Sequence, residues 1–198
     1  MFKPFLIALC GPIGAGKDTV ADYLSDKYGY TKVGFSDPVY QSVWALNPVI
    51  NLPDGTYRRL QDVVMEQGWE TAKRTIPEIR RLLRHMGTEA GRDIHGEDIW
   101  ARRMKERVLL PALRKHLATE QATGHMVIRD LRFENELRTV HSHSGRVWFV
   151  DNGTYDPNKT PEHRSEGMDF TKITHTKIMN TGTFEDLYKR VDEIFEAM

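Results

Sequence analysis

The chain has 198 residues, long enough for one domain with a sizeable core. Its 28 basic and 28 acidic residues cancel, which argues against a partner of duplex nucleic acid, and no apolar run approaches a membrane span. The single cysteine, Cys10, excludes an internal disulfide and any multi-cysteine zinc site. The start, Met1-Phe2-Lys3-Pro4, lacks the pattern of a signal peptide, so a cytoplasmic protein is expected.

Residues 4–10 are short and continuously apolar, as a buried strand should be, with Cys10 as a small core residue at its end. A glycine-rich turn follows, then a helix over 17–28 with Val20, Ala21 and Leu24 inward and Gly29 as its stop. Tyr30 to Phe35 reads as a second strand. Ser36-Asp37-Pro38 opens a helix that runs to about Leu46, before Pro48. Residues 47–55 read as a loop, 56–67 as an amphipathic helix ended by Gly68, and 75–87 as a further helix capped by Thr75. A long helix is expected from Glu97 to about Lys115, kinked or divided at Pro111. Met126-Val127-Ile128 is a buried strand ending at Asp130, 133–143 a helix, and 147–150 another strand. Residues 151–172 are polar and broken by glycine and proline, the composition of a lid or binding loop. A last strand at 173–179 and a helix capped by Thr183 finish the chain. Strands alternating with helices predict an α/β protein, a parallel sheet flanked by helices whose ligands bind at the carboxyl ends of the strands.

The strongest signal is Gly11-Pro12-Ile13-Gly14-Ala15-Gly16-Lys17-Asp18-Thr19 between strand and helix. That is the context of a phosphate-binding P-loop. Glycines at 11, 14 and 16, with Ala15, let backbone N–H groups converge on one anion, the helix N-terminus adds positive potential, and Lys17 brings a mobile charge for the β- and γ-phosphates. The alternative is a plain glycine-rich turn with an exposed lysine. Where a P-loop normally carries Ser or Thr after the lysine, this chain has Asp18, with the hydroxyl one residue later at Thr19. Asp18 could serve a Mg²⁺ ion, directly or through water, or could only cap the helix.

A second signal is Asp130-Leu131-Arg132 with Glu136. A carboxylate ending a buried strand is where P-loop proteins hold the Mg²⁺ shell, Arg132 could steady phosphate charge, and Glu136 could fix its guanidinium from four residues away. A helix cap with a surface ion pair would give the same residues. The third is Arg80-Arg81-Leu82-Leu83-Arg84, then Gly87-Thr88-Glu89-Ala90-Gly91-Arg92. Arginines beside a glycine turn suit an acceptor phosphate, although a solvated helix face reads alike. Trp100 could stack on a nucleobase or belong to the core. His163, Arg164 and Glu166 fall in the lid-like loop, where Arg164 could reach the transferred phosphate.

Taken together, Gly-Lys-Asp-Thr at 16–19, Arg80 with Gly87-Thr88-Glu89, Trp100, Asp130-x-Arg132-x-x-x-Glu136, His-Arg-Ser-Glu at 163–166 and Asn-Thr-Gly at 180–182 resemble the bacteriophage deoxynucleoside monophosphate kinases, along most of the chain. The resemblance implies a single P-loop kinase domain of the P-loop nucleoside triphosphate hydrolase fold over residues 1–198, with a helical acceptor-binding region at about 37–95 and a lid at about 151–172. It implies transfer of the ATP γ-phosphate to a deoxynucleoside monophosphate with Mg²⁺, held by Asp18, Thr19 and Asp130. Lys17, Asp18, Asp130, Arg132 and Glu136 would be catalytic, with Arg132 at the transition state. Arg80, Arg84, Arg92 and Trp100 would hold the acceptor, and Asn180 would lie near the adenine. Arg84 stands where the family often has Gln. The partners implied are small nucleotides, with no nucleic acid polymer and no membrane; a homodimer is left open. Another P-loop small-molecule kinase, of dephospho-coenzyme A or adenylate kinase type, and a nucleotide-binding ATPase or switch are the rival readings.

Overall fold

The computed structural model describes residues 3–118, 124–158, 168–173 and 176–198. Chain order runs β1 (Leu6–Cys10), α1 (Lys17–Tyr28), β2 (Thr31–Val33), α2 (Asp37–Leu46), β3 (Val49–Asn51), β4 (Tyr57–Arg59), α3 (Leu60–Thr75) and α4 (Pro77–Gly87). A π-helical turn at Thr88–Arg92 leads to α5 (Asp93–His95), α6 (Ile99–Met104), a second π turn at Lys105–Leu109 and α7 (Leu110–Ala118). Then come β5 (Met126–Ile128), α8 (Glu134–Ser142), β6 (Arg146–Asp151), a 3-10 turn at Phe170–Lys172, β7 (Thr176–Met179) and α9 (Phe184–Glu196). These elements divide into two compact units, one made of Met1–Phe35 with Ala101–Met198 and the other of Ser36–Trp100.

The first unit is built on a five-stranded sheet, order β2-β5-β1-β6-β7, and every pairing in it is parallel. β1 is central and buried along its whole length, which explains its unbroken apolar sequence. Its alternate residues feed two cores. Leu6, Ala8 and Cys10 join Met126, Ile128, Val147 and Phe149 under Ala101, Met104, Leu109 and Val140. Ile7 and Leu9 join Val127, Trp148, Val150 and Ile178 under Val20, Ala21 and Leu24 of α1 and Leu187, Val191 and Phe195 of α9. The period-two alternation of a strand thus forces helices onto both faces.

α1 begins at the residue after Gly16 and stops at Gly29, whose φ of 75° is a left-handed helix end. It is tied to α9 by one carboxylate. Asp192 accepts from Tyr23 Oη at 2.9 Å, Tyr28 Oη at 2.6 Å and Lys27 Nζ at 2.7 Å, while Tyr23 stacks on Tyr188 at 4.1 Å. The helix that carries the phosphate loop is therefore anchored along its flank. Pro111 falls in the first turn of α7, just after the π turn that divides the long helix, as a ring without an N–H requires.

The second unit has its own core of Val43, Ile50, Leu60, Val63, Val64, Ala72, Ile76 and Ile79. Here the sequence expectation needs correction. Residues 49–59 form an antiparallel hairpin, β3 with β4, instead of a loop and the start of a helix. Pro53-Asp54-Gly55 is its turn: Asp54 Oδ1 accepts from Thr56 N at 2.9 Å, and Leu52 N donates to Thr56 O at 2.8 Å. α3 does break at Gly68, which sits at φ 75° and ψ 160°, but helix resumes to Thr75. α4 opens after Ile76, not from a Thr75 cap, with Pro77 in its first turn.

Candidate active site

The phosphate loop bridges the end of β1 and the start of α1. Three of its glycines have positive φ, 133° at Gly11, 76° at Gly14 and 96° at Gly16. Two of them are demanded by close approach as well. A Cβ on Gly11 would sit 2.1 Å from the Val150 carbonyl oxygen, and one on Gly16 would sit 2.4 Å from Asn180 Nδ2. Ala15 N donates to Pro12 O at 3.2 Å, and Val20 N to Gly16 O at 3.0 Å, so the turn passes directly into helix.

Lys17 folds back over this loop. Its Nζ donates to Gly11 O at 2.9 Å and Pro12 O at 2.7 Å, holding the ammonium at the loop mouth. Burial draws its pKa down to about 8, and the Arg132 guanidinium pushes the same way, against the pull of Asp18, Cys10 and Asp130. Lys17 is thus already poor in water and surrounded by the charges of Arg132, Asp18 and Asp130. Burial pushes the Cys10 thiol up to about 12, so it stays an unreactive core group, with Sγ directed to Trp148 O.

Asp130 lies just past β5 and is 8% exposed. Its Oδ1 accepts from Phe35 N at 2.8 Å, locking the strand end against the second residue past β2. Arg132 has an exposed side chain. Glu136, 2% exposed, contacts it through the backbone: Oε2 accepts from Arg132 N at 2.9 Å and Phe133 N at 3.2 Å. These bonds fix the main chain from which Arg132 projects and cap α8, the capping alternative that the sequence also allowed. Asp18 is exposed in the first turn of α1 and Thr19 is half-buried beside it.

In the second unit Arg80 is exposed, and its Nε donates to Lys73 O at 2.9 Å, which steadies the guanidinium from behind. Lys73 Nζ in turn donates to Tyr40 Oη at 2.9 Å and Glu70 Oε1 at 2.6 Å, a link that no local pattern in the sequence announced. Arg84 is exposed on the same helix. Arg92 and Trp100 are turned inward. Arg92 is 3% exposed and gives Nη1 to Glu97 O at 2.7 Å. Trp100 is 8% exposed and spends its indole N–H on Gly87 O at 2.7 Å. Its ring also fills the space a Cβ on Gly91 would need, at 2.4 Å. Both side chains support the turn after α4 through these bonds. Asn180 reaches the phosphate loop, with Nδ2 donating to Ala15 O at 2.9 Å. His163, Arg164 and Glu166 lie outside the described residues. No helix among the described residues is long and apolar enough to cross a membrane.

A lysine-bearing P-loop at the end of the central strand of a parallel sheet, with a carboxylate and an arginine after the neighbouring strand, is the arrangement of the P-loop kinases, a phosphotransferase class. The chain is 26% identical to a protein of Acanthamoeba polyphaga mimivirus described as "Putative deoxynucleotide monophosphate kinase", over 94% of this chain and 93% of the relative. It also aligns with the crystal structure of shikimate kinase from Aquifex aeolicus, at 15% identity and a TM-score of 0.42, over 97% of this chain and 96% of that one. No protein-family model matches the chain. Loop and sheet give the chain the fold of the P-loop kinases, and the mimivirus relative bears the name of a kinase.

Proposed function

We propose that the protein is a deoxynucleoside monophosphate kinase, moving the γ-phosphoryl group of ATP to the phosphate of a deoxynucleoside monophosphate to give the diphosphate and ADP, in the cytoplasm. The observation that carries the reading is Lys17 held over a P-loop and flanked electrostatically by Arg132, Asp18 and Asp130. The curated relative supports the acceptor class.

Each unit would bring a separate part of the chemistry. In the first, loop N–H groups and the N-terminus of α1 bind the donor phosphates. Lys17 can exchange the Gly11 and Pro12 carbonyls for phosphate oxygens by turning about its side chain, so its charge is delivered where the leaving group develops negative charge. Arg132, its main chain fixed by Glu136, would absorb charge on the moving phosphoryl group. In the second, Arg80 would hold the acceptor phosphate with its guanidinium fork, backed by Lys73, while Arg84 adds charge and Arg92 and Trp100 keep the turn in shape. No side-chain base is needed, because the acceptor oxygen is already ionised.

The oxygen donors around the loop, Asp18, Thr19 and Asp130, suit Mg²⁺. Among the described residues no group of three or more His, Cys, Asp and Glu could hold a metal by itself, so phosphate oxygens and water would complete the shell. When bound, the ion would neutralise donor phosphate charge.

The test is ADP release with ATP and Mg²⁺ in separate reactions containing dGMP, dTMP, dCMP, dAMP, AMP or dephospho-coenzyme A. Release that depends on a deoxynucleotide, at about 1–100 per second, is expected. Equal release with every acceptor, and with none, would replace the kinase by an ATPase or switch.

A further inference from the structure

Asn180 follows β7 at the carboxyl edge of the sheet, and its side chain crosses to the phosphate loop. Its backbone N–H donates to Asp151 O at 2.7 Å, which fixes where the side chain starts. Its Nδ2 donates to the Ala15 carbonyl at 2.9 Å. The partner settles which way the amide faces, since a carbonyl oxygen only accepts. Gly16 leaves the space for this contact: any Cβ there would meet Nδ2 at 2.4 Å.

A trans peptide unit points its C=O and its N–H in opposite directions. With the Ala15 carbonyl held toward Asn180, the N–H of Gly16 is turned to the other side of the loop. Gly16 itself imposes little restraint on that peptide plane, because a glycine at φ 96° has no side chain to choose between orientations. We infer that Asn180 is a positioning residue for the phosphate loop, which by holding Ala15 O keeps the Gly16 N–H presented to the donor phosphates. This rests on the reading of the loop as the ATP site. It differs from a contact between Asn180 and the adenine in acting on phosphate whatever base is attached.

The experiment titrates Mg²⁺-ATP and, separately, inorganic tripolyphosphate into the wild-type chain, Asn180→Ala and Asn180→Asp, by calorimetry. The Asp variant keeps the shape but offers Ala15 O no N–H, so it serves if the Ala variant folds poorly; melting curves check both. Loss of one neutral hydrogen bond predicts about five- to tenfold weaker binding of both ligands. The Gly16 amide resonance, which should move on tripolyphosphate binding to the wild type, should move less in the variants. Weakening confined to ATP would assign Asn180 to the base and overturn the proposal, as would unchanged affinity for both. A wild-type chain that binds neither ligand would remove the ATP site, and the proposal with it.

Discussion

Lys17 is a cation kept in a place that disfavours cations. Its charged form is weakened first by burial and then by Arg132, and two backbone carbonyls hold it at the loop mouth. Phosphate is the group that would make the charge favourable, which is why we assign it to the donor. Lys17→Met should fold, lose about 10²–10³-fold in turnover, and leave the acceptor KM nearly unchanged. The pH dependence has a definite sign. In the free protein the ammonium is lost as pH rises through about 8, so kcat/KM for ATP should fall above that pH in the wild type. Because the folded pKa lies below the ordinary lysine value, the charged lysine costs stability at neutral pH, and that cost fades as pH climbs from 8 toward 10.5. Lys17→Met should therefore melt higher than wild type at pH 7, with the gap closing near pH 10; a constant gap would show that Lys17 is not desolvated. Gly11 tests the loop without touching charge. Gly11→Ala brings a Cβ to 2.1 Å from Val150 O at a positive φ, and should cost about 2–4 kcal/mol by urea unfolding.

At the scale of elements, α1 needs a fixed axis if the loop at its N-terminus is to keep its shape. Asp192 supplies it by accepting from Tyr23, Tyr28 and Lys27. Partial burial pushes the Asp192 carboxyl up, but bonds from Lys27, Tyr28 and Tyr23 outweigh it and hold the pKa below the usual carboxylate range. A depressed acid contributes stability that is complete above its unfolded pKa and vanishes as pH falls through the folded one. Asp192→Ala should lose about 1–2 kcal/mol at pH 7, with the deficit shrinking below about pH 4. A deficit independent of pH would assign the loss to packing alone. In the second unit the turn after α4 depends on Gly91, against which Trp100 seats. Gly91→Ala should force the indole away from Gly87 O and quench less or shift the tryptophan emission, at a cost of about 2–3 kcal/mol. Unchanged fluorescence and stability would show that Trp100 does not hold this turn.

At the scale of the whole molecule, the proposed reaction would draw its donor and acceptor residues from different units, so their variants should separate in kinetics. Arg80→Ala, on the surface of the Ser36–Trp100 unit, should raise the acceptor KM about tenfold or more and leave the ATP KM within twofold. An equal rise in both would deny Arg80 a role specific to the acceptor. Neutral overall charge fits the small substrates proposed, which local groups such as Arg80 and Lys17 would gather without a basic surface.

What the sequence determined by itself was local. The run from β1 through the P-loop into α1 is contiguous, and each of its demands, an apolar strand, glycines where φ is positive, a helix opening at Lys17, can be met by neighbours in the chain. The inner strands β1, β5 and β6 were legible for the same reason, since burial on both faces requires continuous apolar runs. The hairpin at 49–59 was not, because its strands are three residues long and largely exposed, so only its turn left a mark. The tertiary structure decided what the polar residues touch. Asp130 meets Phe35 N across 95 residues and Asn180 meets Ala15 O across 165, and no local period encodes either partner. Arg92 and Trp100 belong to the same lesson: a basic and an aromatic residue look alike in sequence whether they face a ligand or a carbonyl. Packing assigned each a buried hydrogen bond, since an indole or guanidinium taken out of water must find one.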